Sequence, residues 1–302
     1  MSDPILSKGR KLSIEGAPLI GSGYFGNVYQ TADDTVVKVL KRGSFDEAER
    51  EIRLSKWAFS KGIPTAISFD VADVDGRPGL VYESLGRDNL RNRLRDHPEE
   101  FDRVMARYAA LLHTINAVVV EDDPLPSALE EYKGFLRTAE DRMTREEYAR
   151  MTALLDTVPD RHTLLHRDCQ VKNVKIKKDE LFLIDLDTLS TGDPIFELVG
   201  LFCCYKAFPV MKEVDFDDFF DLSAAMLSRI YDTLFALYFK GLSAELLAEN
   251  ERKIALLTYM YMIYWVKTQS PDQERWADIV YREFQKLLPL VDDLRLAFAP
   301  AE

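Results

Sequence analysis

LLHRDCQVKNVKI, residues 164–176, decides how the rest of the chain is read. An apolar start leads into His166-Arg167-Asp168, and Asn173 stands five residues after the Asp. Asp168 is a carboxylate able to accept the proton of an attacking hydroxyl, and Asn173 offers an oxygen ligand to a hard cation. A second acid, Asp185, stands in LFLIDLD (residues 181–187) as a carboxylate leaving an apolar strand. A residue there suits Mg²⁺, which takes few protein ligands and completes its shell with phosphate oxygens and water. His166 reads as structural, holding the backbone around Asp185, rather than as a base. Each residue alone has a bland explanation, so the information lies in their order.

Upstream, GSGYFGNV (residues 21–28) has the spacing G-x-G-x-x-G-x-V. Glycines let a backbone approach phosphates and donate amides to them. Residues 27–31 look like a strand and not a helix, so the glycine loop joins two strands and is not a dinucleotide fingerprint. A plain glycine-rich hairpin is the alternative. Lys38 lies in the β-branched run TVVKVL (residues 35–40), where an unpaired ammonium would be costly to desolvate. It needs phosphate or an acid on the next helix. Glu51 is the first choice, two turns past the helix start, with Glu47 and Glu49 as rivals.

Spacing predicts the scaffold around these residues. Residues 44–62 read as a helix, with Ser44 and Glu47 as a capping box, Gly62 at the C′ position and Pro64 beyond. Strands are expected at 67–74 and 79–83, turning at Asp75-Gly76. After Glu83, residues 88–95, 99–118, 128–155 and everything beyond 195 carry helical periodicity. The only strand-like material there is 173–184, turning at Lys178-Asp179. The expectation is a small β-rich part with one helix, then a large helical part with an embedded hairpin, hinged at 83–87.

Composition excludes other classes. The 302 residues hold 39 basic and 51 acidic side chains, a net charge of −12, which disfavours a nucleic-acid binder. The bland reading of that charge is solubility. Three cysteines, Cys169, Cys203 and Cys204, form neither a disulfide framework nor a spaced metal site. The N-terminal stretch lacks the apolar core of a signal peptide, and the run IALLTYMYMIYWV (residues 254–266) is short for a bilayer. The expectation is a cytoplasmic protein with no membrane or nucleic-acid partner.

Taken together, Gly21/Gly23/Gly26, Lys38, Glu51, His166-Arg167-Asp168, Asn173 and Asp185 resemble the protein-kinase-like superfamily. The chain is most similar to its aminoglycoside phosphotransferase and choline kinase branch. KGIPTA (residues 61–66) resembles that branch's Gly-x-Pro link, although Ala66 replaces a second Pro. LLHTI (111–115), the long helical piece at 122–159 and IDLDTLSTGDPIFEL (184–198) resemble its other markers.

The resemblance implies an α+β, two-lobed protein-kinase-like fold: residues 1–85 as a β-rich N-lobe and 86–302 as a mainly helical C-lobe. It implies a nucleotide site drawn from Ile20, Gly21, Ser22, Gly23, Gly26, Val28, Val36, Lys38, Glu51, Glu83, Leu85 and Ile184. In this reading the backbone of residues 83–85 reads the nucleobase edge. Asp168 orients the acceptor hydroxyl, and Asn173 and Asp185 hold Mg²⁺. The implied reaction is Mg²⁺-dependent transfer of the γ-phosphoryl group of ATP or GTP to a hydroxyl.

Departures refine this. Arg167 replaces the branch's usual Gly. Asp187 stands where protein kinases have the Gly of Asp-Phe-Gly. Gln170 takes the place of their Lys near the transferred phosphate. Lys175 falls where an apolar residue floors the base pocket, which leaves ATP against GTP open. Only six residues separate Asp185 from Gly192-Asp193-Pro194, too few for a peptide-docking activation segment. A small-molecule acceptor is therefore expected, with amino sugars and amino alcohols as candidates. A protein Ser/Thr kinase and a non-catalytic nucleotide-binding module are the alternatives. Asp193 and Glu197 could receive an acceptor ammonium, although Asp193 could equally cap the following helix. The aromatics of TYMYMIYWV (258–266) could face a cation, but the favoured reading is a core helix.

Overall fold

The computed structural model describes residues 10–23, 25–121, 125–210, 219–269 and 274–299. Tyr24 of the glycine-rich segment and residues 122–124 of the expected helical piece lie outside them. The fold is α+β, with a β-sheet N-terminal region and a mainly helical C-terminal part. The chain gathers into two compact units. One runs through Leu90 and includes Lys172–Asp187; the other holds Arg91–Val171 and the chain from Thr188 onward.

The first unit is built on six strands: β1 (Arg10–Lys11), β2 (Leu19–Ser22), β3 (Gly26–Ala32), β4 (Thr35–Leu40), β5 (Ser68–Val74) and β6 (Arg77–Glu83). Their order is β1-β5-β6-β4-β3-β2, antiparallel except for β1 on β5. Helix α1 (Phe45–Ser60) starts at the expected capping box, where Ser44 Oγ accepts from the Glu47 amide and Glu47 reaches back to the Ser44 amide. Gly62 comes next at φ +81, a left-handed position that glycine occupies without a Cβ penalty. The sheet's β-branched alternation then divides. Val37, Val39, Ala72, Val74 and Val81 form one buried cluster. Leu40, Val71 and Leu80 form another with Ala48 and Ile52 of α1. Hairpin β8 (Val174–Lys177) and β9 (Glu180–Leu183) belongs to this unit, its register running from Val174 opposite Leu183 to Lys177 opposite Glu180.

The second unit contains α2 (Leu90–Asp96, from Arg91 on), α3 (Phe101–Asn116), α4 (Ala128–Thr138) and α5 (Arg145–Leu155). Strands β7 (Thr163–Leu165) and β10 (Ser190–Gly192) pair antiparallel. Then come α6 (Ile195–Phe202), a π turn (Cys203–Ala207), α7 (Phe208–Val210), α8 (Ala224–Tyr238), α9 (Ala244–Gln269) and α10 (Glu274–Leu287). Helix α9 packs on α4, α6 and α10, and α3 on α8. The apolar run 254–266 lies inside α9. Among the described residues, no helix is long and apolar enough to cross a membrane.

Two expectations are corrected. Residues 128–155 are two helices, because Thr144 and Glu147 form a second capping box that starts α5 afresh. Residues 173–184 are not the only strand material after Glu83, since β7 and β10 flank them. Each of those strands has three residues, too few to show a period.

Leu80 is fully buried between the sheet and α1. Leu80→Ala is expected to lower unfolding stability in urea by about 3 kcal/mol through lost transfer energy and a cavity. An unchanged midpoint would contradict this packing.

Candidate functional site

In the first unit, strand pairing sets Val28 opposite Lys38, and Val36 opposite Tyr82. With Lys38 and Val36 two residues apart, this places Val28, Val36, Lys38 and Tyr82 on one face of the sheet. Gly26 is required beside them, since a Cβ there would sit 2.8 Å from the Val39 carbonyl oxygen. By contrast, a Cβ at Gly21 or Gly23 would meet only ordinary contacts. The glycine-rich turn closes through the Gly23 amide to the Gly26 carbonyl at 2.9 Å, and Lys41 Nζ donates to the Gly23 carbonyl at 2.7 Å. Ile20 and Gly21 are partly buried, while Ser22 and Gly23 are exposed.

Lys38 Nζ lies 3.0 Å from Glu51 Oε1 and 2.6 Å from Asp185 Oδ1. The rivals are occupied elsewhere: Glu47 caps its own helix and Glu49 approaches Arg53. Tyr82 Oη donates to Glu51 at 3.1 Å. Burial opposes the charge on Lys38, but the two carboxylates outweigh it and raise its pKa. Burial also raises the Glu51 pKa; the Lys38 charge works against this, and Asp185 and Asp187 add to it. One ammonium is thus shared between two carboxylates, leaving an excess of negative charge.

Asp185 has φ +58, a left-handed conformation for a non-glycine residue. Just before it, the Ile184 amide donates to the Asn173 carbonyl at 3.0 Å, which joins the start and the end of the hairpin. Asn173 is buried. The backbone stretches that carry these two expected cation ligands are thus joined within one unit. An excess-negative cluster at Asp185 fits a divalent cation with few protein ligands. Among the described residues there is no group of three or more His, Cys, Asp or Glu side chains that could hold a metal.

The segment at 83–85 is held by the Glu83 amide to the Ile67 carbonyl (2.8 Å) and the Ser84 amide to the Asp34 carbonyl (2.7 Å). Lys177 Nζ donates to the Ser84 carbonyl at 3.1 Å. Among the described residues, the Leu85 amide makes no hydrogen bond. Lys175 is a half-buried strand residue, opposite Phe182 and bridged to Asn89.

In the second unit, the loop carrying Asp168 is fixed mainly through its backbone. Glu197 accepts from the His166 amide at 2.6 Å and from the Arg167 amide at 3.0 Å. Thr188 Oγ1 donates to the His166 carbonyl at 2.7 Å. Tyr205 Oη accepts from the Val171 amide at 2.8 Å, and Tyr108 donates to the Cys169 carbonyl. The Asp168 amide donates to His166 Nδ1 at 3.3 Å, so the buried imidazole orients the acid's own backbone.

Glu197 and Asp193 are accordingly not ammonium receivers. Glu197 is fully buried and spent on two amides. Burial raises its pKa against those two hydrogen bonds. Asp193 is 1% exposed, accepts from the Ile195 amide at 3.0 Å and pairs with Arg161 at 3.1 Å. The aromatic stripe also divides: Tyr259 is core, whereas Tyr261, Tyr264 and Trp265 are partly exposed. Sequence reasoning missed Tyr108, Thr188 and Tyr205, each a hydroxyl acting on backbone far away in sequence.

A Cβ at Gly200 of α6 would lie 2.5 Å from the Arg167 carbonyl oxygen. Alanine normally favours a helix over glycine by about 1 kcal/mol. Overpacking against fixed backbone costs about 1–3 kcal/mol, so the clash prevails. Gly200→Ala is expected to lower both the thermal midpoint and turnover. A stabilised, fully active variant would contradict the close approach of α6 to the loop.

The sequence profile of the phosphotransferase enzyme family matches residues 17–222. Similar folds occur in the gentamicin–APH(2")-IIa complex, with TM-score 0.60 and 14% identity over 91% of this chain and 93% of that one. They occur also in ADP-bound aminoglycoside phosphotransferase APH(2'')-Ib, with TM-score 0.56 and 16% identity over 91% and 92%. A choline/ethanolamine kinase family protein from Mesorhizobium loti has TM-score 0.59 and 13% identity over 90% and 87%. No curated protein matches the chain. With the profile matching about two thirds of its length on a fold shared with these proteins, the chain belongs to the phosphotransferase enzyme family.

Proposed function

We propose that the protein transfers the γ-phosphoryl group of ATP or GTP to a hydroxyl of a small molecule, with Mg²⁺. The observation that carries this reading is Lys38 held between Glu51 and Asp185. Such an ammonium is placed to exchange one carboxylate for nucleotide phosphates. The glycine-rich turn at residues 20–23 and 26, with Val28 and Val36, would cover and flank the nucleotide. The Leu85 amide and the Glu83 backbone would read the base, with Ile184 beside it. Asn173 and Asp185 would hold the cation, which supplies charge neutralisation on the phosphates.

Asp168 would orient the acceptor hydroxyl and accept its proton. The hydroxyl oxygen bonds to the γ-phosphorus, the bond from that phosphorus to the β,γ-bridging oxygen breaks, and the nucleoside diphosphate leaves. His166 and Glu197 hold the loop that presents Asp168. From Asp185 the chain passes directly through a 3₁₀ turn (Leu186–Thr188) and β10 into α6. This supports a small-molecule acceptor over a docked peptide. The gentamicin complex and the choline/ethanolamine kinase relative support amine-bearing acceptors.

Asp168→Asn is expected to lower kcat on the best acceptor by about 10²–10⁴-fold, as for loss of a positioned base. Steady-state kinetics on a panel of amino sugars, amino alcohols and sugars checks this with each nucleotide. Full turnover by the variant would sink the mechanism. Label moving only to protein would favour a protein kinase.

A further inference from the structure

Arg167 stands immediately before Asp168 and has φ +65. That left-handed conformation costs a residue bearing a Cβ about 1–2 kcal/mol. Its amide is bound to Glu197, but its side chain runs elsewhere. The guanidinium forms an ion pair with Glu131 of α4, with side-chain exposures of 17% and 33%. Arg167 Nε is buried without a hydrogen-bond partner, so Glu131 supplies the compensation for a desolvated cation. Removing the acid would take away the ion-pair partner of the guanidinium.

Helix α4 also carries aromatic side chains. Tyr132 lies 5.9 Å from Tyr261, and Phe135 lies 5.4 Å from Tyr261 and stacks on Tyr264 at 4.4 Å. Phe135, Tyr261 and Tyr264 are partly exposed, forming a wall between α4 and α9. Glu131 ties α4 to Arg167 of the loop, and Phe135 of the same helix meets Tyr261 and Tyr264. The loop and the wall therefore share one neighbourhood within the second unit.

We propose that the Arg167–Glu131 ion pair fixes α4 and its aromatic wall against the catalytic loop, and so positions the acceptor relative to Asp168. This rests on the phosphotransfer reading. Arg167 and Glu131 are positioning residues: they set where the acceptor sits and leave nucleotide binding alone.

The test measures KM for acceptor and for nucleotide separately. The probe is the compound in a metabolite extract that wild-type protein phosphorylates with the highest turnover. Arg167→Glu and Glu131→Arg are each expected to raise the acceptor KM by about tenfold or more, the scale of a charge-assisted contact. Nucleotide KM should stay within about twofold, since uniform loss would indicate general misfolding. The charge-swapped double variant should recover part of the acceptor KM, as a direct interaction of the two side chains requires, while the split between the two KM values excludes a merely structural role. Unchanged acceptor kinetics in both single variants would overturn the proposal. So would parallel losses in both KM values, with or without recovery in the double variant. A wild-type protein that labels nothing in the extract defeats the phosphotransfer reading itself, and this proposal with it.

Discussion

A lysine ammonium held between two carboxylates organises the first unit. Lys38 comes from the middle of a sheet strand, Glu51 from the second turn of α1, and Asp185 from just beyond a hairpin 147 residues later in the chain. Desolvation of Lys38 is tolerable because carboxylates meet it, since a buried charge left with no partner costs several kcal/mol. That constraint couples the sheet, the helix and the hairpin. It also leaves negative charge in excess, a condition that a divalent cation and nucleotide phosphates together would relieve.

The second unit treats its acid differently. Backbone contacts hold the loop around Asp168: Glu197 takes two consecutive amides, Thr188 and Tyr108 donate to carbonyls, and Tyr205 accepts an amide. His166 adds the amide of Asp168 itself. None of these contacts uses the Arg167 side chain. Arg167 can then adopt a strained backbone and spend its side chain on α4. Gly200 belongs to the same arrangement, since only the absence of a Cβ lets α6 approach the Arg167 carbonyl.

Much of this was readable in the sequence where the signal is local. The β-branched run around Lys38, the Ser44–Glu47 capping box and the Asp75-Gly76 turn, at φ +53 and +80, each carry their conformation in a few adjacent residues. Choosing Glu51 needed only helix spacing and a known start. The second capping box, at Thr144 and Glu147, carried the same signal, but helical periodicity on both sides masked it. The unread part is long-range. Glu197 looked like an acid near a ligand because nothing local reveals that its partners are amides 30 and 31 residues away. Glu131 is one of two adjacent acids on its helix, and only tertiary packing selects it for Arg167.

The proposed reaction is transfer of phosphate from a nucleotide to a small hydroxyl compound. The most direct measurement is to incubate the full chain with Mg²⁺, γ-labelled ATP or GTP and a protein-free metabolite extract, then to locate the label. The expected product is a labelled small-molecule phosphomonoester that disappears when the cation is chelated. Label confined to inorganic phosphate or to the protein, with none in a small molecule, would contradict it.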